Sequence, residues 1–74
     1  MTEFSKLFSN LIHSKDTKVY SLAKYCNMDR STLYQIISGK RNPTSLEVVK
    51  KFSEFLHLTP QEHQHLLEAY EITL

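Results

Sequence analysis

The chain has 74 residues and one cysteine, so it reads as a single domain over 1–74 with no internal disulfide framework, in keeping with a reducing compartment. Its hydrophobic content of 41% with 23% charged residues is ordinary for a globular chain and argues against disorder. No apolar run approaches the roughly 18 residues of a membrane span, and the N-terminus lacks a basic-then-apolar leader, so a cytoplasmic protein without membrane contact is expected.

Net charge is only +1, but it is unevenly spread. Residues 15 to 51 hold eight Lys/Arg against three acids, whereas residues 52 to 74 hold Glu54, Glu62, Glu68 and Glu71 and no Lys or Arg. Solvation of helix faces accounts for such charges in many domains. A domain polarised in this way would also orient itself on a phosphate backbone.

Five helices are predicted in chain order. The first runs from about Glu3 to Ser14, with Thr2 as N-cap and Phe4, Leu7, Phe8, Leu11 and Ile12 on one face at helical spacing. The second opens at Asp16 or Thr17, either of which can cap, and puts Val19, Leu22, Ala23 and Cys26 on one side. Asn27 tolerates the left-handed conformation and ends it sharply.

Asp29 caps the third helix, about 29–38, and Met28 and Leu33 form a hydrophobic staple across its start. Leu33, Ile36 and Ile37 face inward, and Gly39 ends the helix as a left-handed residue. A capping box, Thr44-x-x-Glu47, opens the fourth helix, whose buried side is Val48, Val49, Phe52, Phe55 and Leu56. A second box, Thr59-x-x-Glu62 with Pro60 at the first helical position, opens the fifth. That helix carries Leu66, Leu67 and Tyr70, with Ile72 as a further candidate for its apolar stripe. No strand pattern or repeat appears, so the fold class is all-α with short loops.

Residues 22 to 43, LAKYCNMDRSTLYQIISGKRNP, carry a more specific signal. Leu22, Ala23, Met28, Arg30, Ser31, Thr32, Leu33, Ile36, Gly39, Lys40, Arg41 and Pro43 stand where the helix-turn-helix of the phage-repressor/Cro-like (Xre-type) family expects them. The chain resembles that family. The resemblance implies a compact five-helix, lambda-repressor-like domain with the helix-turn-helix at helices 2 and 3. It implies double-stranded DNA as partner, a bacterial or phage-infected cell as setting, and a role as a transcriptional regulator or repressor. Such domains usually act as homodimers on palindromic sites.

In a helix-turn-helix the second helix of the pair enters the major groove, and its N-terminal residues meet base edges. With Leu33, Ile36 and Ile37 inward, the opposite face of helix 3 shows Arg30, Ser31, Tyr34, Gln35 and Ser38. By resemblance the base-contacting positions fall on Arg30, Ser31 and Gln35, with Tyr34 as a variable neighbour. Arg30 suits guanine O6 and N7 or a phosphate, and Gln35 suits adenine. Phosphate contacts are expected from the start of helix 2, at Thr17, Lys18 and Tyr20, and from the Thr32 and Ser38 hydroxyls. Lys40, Arg41 and Asn42 in the following loop complete the set. The alternative is that this polar face is merely solvated.

The chain departs from the family pattern in three places. Lys18-Val19 stands where many members have Thr-Gln, so no contact is carried over to Val19. Ile12 and Ile37 occupy the positions of a common Arg–Glu pair and are expected to touch. Asn27 replaces the turn glycine.

Other chemistries find no support in the residue pattern. His63 and His65 are two apart and therefore on different sides of a helix, no cysteine pair completes a metal site, and surface histidine is the better reading. Cys26 reads as a small buried hydrophobe rather than a nucleophile. A single glycine forbids a Gly-rich phosphate loop, and no Gly-x-Ser-x-Gly or Ser/His/Asp arrangement exists. No enzyme, cofactor, metal or small-molecule ligand is expected. The competing function is a protein-interaction module that keeps the fold without binding DNA and uses the acidic fifth helix with its apolar stripe. The chain ends at Tyr-Glu-Ile-Thr-Leu without a stop signal, which suggests the N-terminal part of a longer protein that dimerises or senses a signal.

Overall fold

A computed structural model describes residues 2–73, so Met1 and Leu74 lie outside the described residues. The described residues form five helices and no strand: α1 Glu3–Ser14, α2 Val19–Tyr25, α3 Arg30–Ser38, α4 Leu46–Leu56 and α5 Pro60–Thr73. Helix α1 packs chiefly on α5 and α3, α2 lies against α3 and α4, and α4 meets α5.

The core is where the predicted apolar faces converge. Phe4, Phe8, Leu11 and Ile12 of α1 meet Leu22 and Ala23 of α2, Leu33 and Ile36 of α3, Val49, Phe52 and Leu56 of α4, and Leu66 and Tyr70 of α5. Its centre is aromatic. Phe8 and Phe52 stack at 4.4 Å between ring centroids, and Phe4 meets Tyr70 edge-on at 6.2 Å. These offset and edge-to-face arrangements are the ones ring quadrupoles favour. Ile72, a candidate for the stripe of α5, instead stays 72% exposed. Ala69 takes the inward place beside Leu66 and Tyr70, because the three lie one helical turn or one residue apart on the same face.

One device closes four of the five helices. After α1, α2, α3 and α4 the chain turns through a left-handed residue: Asp16 (φ 51°), Asn27 (φ 56°), Gly39 (φ 86°) and His57 (φ 53°). In each case the next N–H reaches back five residues: Thr17 to Ile12, Met28 to Ala23, Lys40 to Gln35 and Leu58 to Ser53, at 2.9–3.2 Å. This is the Schellman closure, which satisfies carbonyls that a helix end otherwise leaves unpaired. Met28 and Leu58, the residues that follow two of these turns, pack against the core and complete it with an apolar contact.

The closure explains one error in the sequence reading. Asp16 and Thr17 were expected to cap α2, but Asp16 is the left-handed residue that ends α1, and the Thr17 N–H is spent on the same turn. Lys18 is therefore the extended residue before α2 and supplies no side-chain cap. At α4 the expected Thr44–Glu47 box does not form. Ser45 is the N-cap, again without a side-chain bond, so Glu47 lies one position too early to reach back. The Thr59–Glu62 box does form: the Thr59 N–H donates to Glu62 Oε1 (3.0 Å) and the Glu62 N–H to Thr59 Oγ1 (3.2 Å). A further box joins Thr2 and Ser5, whose N–H groups donate to each other's hydroxyls at 2.9 and 3.0 Å.

Candidate nucleic-acid interface

Helix α3 has two faces with different chemistry. Leu33 and Ile36 are buried, and Ile37 packs partly covered against the core. On the opposite side Arg30, Ser31, Tyr34, Gln35 and Ser38 are all exposed. Thr32 lies on the flank, half-covered, in a shallow groove between α2 and α3 that also holds Tyr20, Lys24 and Asp29. Asp29 is the N-cap by position, yet its carboxylate makes no capping bond. It is the single acid at this end of the helix.

What holds α3 in place is the α2–α3 crossing. Ala23 is only 2% exposed, and its small side chain permits the close approach of the two backbones. Leu22 beneath it is fully covered. Behind α2, the Tyr25 hydroxyl donates to Glu54 Oε2 of α4 (2.9 Å) while its ring packs on Phe55 at 5.3 Å. The Glu54 carboxylate holds the Tyr25 phenol above its ordinary range, first through that hydrogen bond and then through its charge. Cys26 is buried, and burial pushes its thiol up, against a smaller opposing pull from Lys51. Such a setting disfavours the reactive thiolate form.

Ile12 and Ile37 line one groove between α1 and α3, together with Val19, Thr17 and Tyr34. Ile12 belongs to the buried core and Ile37 packs against that core, so apolar side chains stand where an Arg–Glu pair was the family expectation, an exchange that is often neutral or stabilising. The same groove brings Thr17 and Tyr34 together, and Lys18 and Tyr20 are exposed, with Tyr20 on the groove between α2 and α3. With seven residues, α2 is too short for its dipole alone to hold an anion. Contacts from this end would rest on side chains.

Beyond α3, Lys40, Arg41 and Asn42 are exposed in the loop before the buried Pro43. The backbone N–H groups of Lys40 and Arg41 both donate to the Gln35 carbonyl, at 2.9 and 3.2 Å. These bonds fix the loop and leave its two cationic side chains in solvent. The Ser38 hydroxyl donates to the same carbonyl (3.1 Å), so its proton must swing outward before it can serve a phosphate.

Two further contacts, like the Tyr25–Glu54 hydrogen bond, were not visible in the sequence. The Arg30 guanidinium lies over the Tyr20 ring, with Cζ 5.4 Å from the centroid. The residues are ten apart, and only the helix crossing brings them together. His63, read as a surface histidine, is half-covered, with Nδ1 2.6 Å from the Oγ of the buried Ser53. The Ser53–His63 spacing has no local signal either, since it depends on how α4 meets α5. A hydroxyl can donate to or accept from an imidazole nitrogen, so this pair ties the helices together in either tautomer. Among the described residues no group of three His, Cys, Asp or Glu could hold a metal ion, and no helix is long and apolar enough to cross a membrane.

A family model described as helix-turn-helix matches residues 14–63, more than half of the chain. The chain belongs to the helix-turn-helix family. No curated protein and no solved structure matched it. Within this helix-turn-helix domain the matched span runs from the end of α1 through α2, α3 and α4 to the first turn of α5. It contains every residue considered above for contact with nucleic acid. The distal part of α5 lies beyond it; there Leu66, Ala69 and Tyr70 are buried and Leu67 is partly covered, whereas Ile72 stays exposed.

Proposed function

We propose that this helix-turn-helix domain binds double-stranded DNA sequence-specifically and acts as a transcriptional regulator, a repressor of bacterial or phage type, in the cytoplasm. The observation that carries the reading is the exposed face of α3, where Arg30, Ser31, Tyr34 and Gln35 stand clear of solvent-excluded Leu33 and Ile36. In this reading α3 lies in the major groove, which is wide enough for one helix. Arg30, Ser31, Tyr34 and Gln35 meet base edges. Thr17, Lys18, Tyr20 and Thr32 on one side, and Ser38, Lys40, Arg41 and Asn42 on the other, grip the flanking phosphates and set the register.

The layout of charge supports this assignment. Lys18, Arg30, Lys40 and Arg41 are exposed around α3, while Glu62, Glu68 and Glu71 belong to α5, which packs on α1 and α4. A homodimer would place two copies of α3 on half-sites about one helical turn apart and would read a palindrome.

The test is a binding titration on a fluorescent random-sequence duplex across a range of salt. Phosphate contacts release counterions, so the logarithm of the association constant falls linearly with the logarithm of salt, with a slope of about −0.9 per phosphate neutralised. A steep slope supports the reading. Absence of binding at low salt removes it and favours a protein-interaction module.

A further inference from the structure

We infer that Tyr20 is a specificity-determining residue, which acts by holding the Arg30 guanidinium edge-on for a guanine, an inference that rests on the DNA-binding reading above. The guanidinium lies over the Tyr20 ring at 5.4 Å, within the range of a cation–π contact. Both residues are exposed, Tyr20 by 58%, so the pair stands on the surface and not within the core.

The geometry has a chemical consequence. A cation–π contact needs no acceptor atom at the guanidinium, whose N–H donors lie in its plane and point outward from its edge. The Tyr20 ring therefore restricts the Arg30 side chain while its donors stay unpaired with any acceptor among the described residues. An ion pair would do the opposite, since a carboxylate would occupy the edge. Among the described residues no carboxylate lies within ion-pair distance of Arg30, the one ion pair being Lys15–Glu62.

Among the described residues no hydrogen bond or ion pair orders this side chain. Arg30 is the first residue of α3, where the positive end of the helix repels a cation. Left alone, a long exposed arginine samples many rotamers and loses that freedom on binding, at a cost in affinity. The Tyr20 ring removes part of that cost beforehand. The ligand that rewards a pre-set planar fork is one offering two acceptors side by side. On duplex DNA that is the O6/N7 edge of guanine, the commonest partner of a bidentate arginine. A lone phosphate oxygen gains much less from a fixed plane.

This assignment separates Tyr20 from its neighbours Thr17 and Lys18, which carry no such partner and can only position the backbone. It also assigns different work to the two parts of one side chain: the ring acts on Arg30, and the hydroxyl remains free for a phosphate.

Selection of preferred sites from a random duplex pool tests the inference with the wild-type chain and the variants Y20F, Y20L, Y20A, R30A and Y20A/R30A. The wild type should select a guanine at one base step, and R30A should lose it. Y20A and Y20L should reduce discrimination at that step by about two- to five-fold, the range of an exposed cation–π contact. Y20F, which keeps the ring, should match the wild type in discrimination. Y20A/R30A should lose no more discrimination than R30A. Affinity for random duplex should fall by a similar factor in Y20F, Y20L and Y20A, the share of the hydroxyl on a phosphate, so the change in discrimination in Y20L and Y20A is read apart from it.

Three results overturn the inference while DNA binding stands. Loss of binding by Y20A equally on every sequence, with the guanine preference intact, would make Tyr20 a phosphate contact alone. Loss of discrimination by Y20F would assign the effect to the hydroxyl. A wild type that binds random duplex but selects no guanine would remove the Arg30 role while leaving DNA binding intact. Failure of DNA binding itself appears separately, as a wild type that retains no duplex at low salt, and it overturns this inference with it. A DNA-free readout accompanies these: the Arg30 δ-methylene protons should shift upfield in the ring current of Tyr20, and that shift should vanish in Y20L and persist in Y20F.

Discussion

Replacing His57 by glycine should stabilise this domain, although it deletes a side chain and adds no contact. His57 sits at φ 53° and ψ 48° in the turn after α4, where a residue with a Cβ carries about 1–2 kcal/mol of strain that glycine escapes. Glycine also gives the unfolded chain more freedom, which offsets about 0.5–1 kcal/mol. The imidazole is exposed and makes no hydrogen bond among the described residues, so its removal costs little else. The turn itself survives, because its bonds from His57 and Leu58 N–H to Glu54 and Ser53 carbonyls are backbone only. The net gain is about 0.5–1 kcal/mol, or about 2–8 °C in Tm for a domain of this size. Thermal unfolding followed by circular dichroism measures it, with Gly39→Ala as the mirror experiment. At φ 86° the same strain is then introduced where none existed, and Tm should fall by a comparable amount. A fall for His57→Gly, or no change for Gly39→Ala, would refute the claim that left-handed closure governs these helix ends.

Other expectations are equally direct. Phe52→Ala removes a fully buried ring stacked on Phe8 and should cost about 3–5 kcal/mol in urea unfolding; a loss below about 1 kcal/mol would place the core elsewhere. Glu62→Gln should flatten the acid limb of stability. The Thr59 N–H, and then Lys15, hold the Glu62 carboxyl below the usual range, so its contribution is complete above the unfolded glutamate value and is lost as pH falls through the lower, folded value. Parallel wild-type and Glu62→Gln curves of Tm against acid pH would contradict this. Lys40→Ala and Arg41→Ala should each weaken duplex binding alike on all sequences and reduce the salt slope by about 0.9; a change in sequence preference would instead make them base-reading residues.

Sequence reading succeeded where one local signal pointed one way. The apolar spacing of α1 and α4, the Thr59–Glu62 box, and the left-handed turns at Asn27 and Gly39 all depend on residues within one or two helical turns. It failed where one residue type serves two local purposes. Aspartate both caps helices and tolerates the left-handed region, so Asp16 was assigned to the opening of α2 when it closes α1. Thr44 and Glu47 have the spacing of a capping box, but the helix starts after Ser45 and the spacing no longer fits its frame. His57 gave no warning of a positive φ. The exposed face of α3 was legible because burying Leu33 and Ile36 dictates what stands opposite. The Tyr20–Arg30 contact, the Tyr25–Glu54 hydrogen bond and the Ser53–His63 pair were not, since each joins two helices and depends on how they cross.

DNA binding by the α2–α3 unit is the central claim, and an amide-resolved titration of the isotope-labelled chain with random duplex DNA at low salt tests it most directly. Shifts should gather at residues 17–20, 30–38 and 40–45, leave the distal part of α5 still, and vanish as salt is added. Shifts confined to α5, or none at all under these conditions, would contradict it.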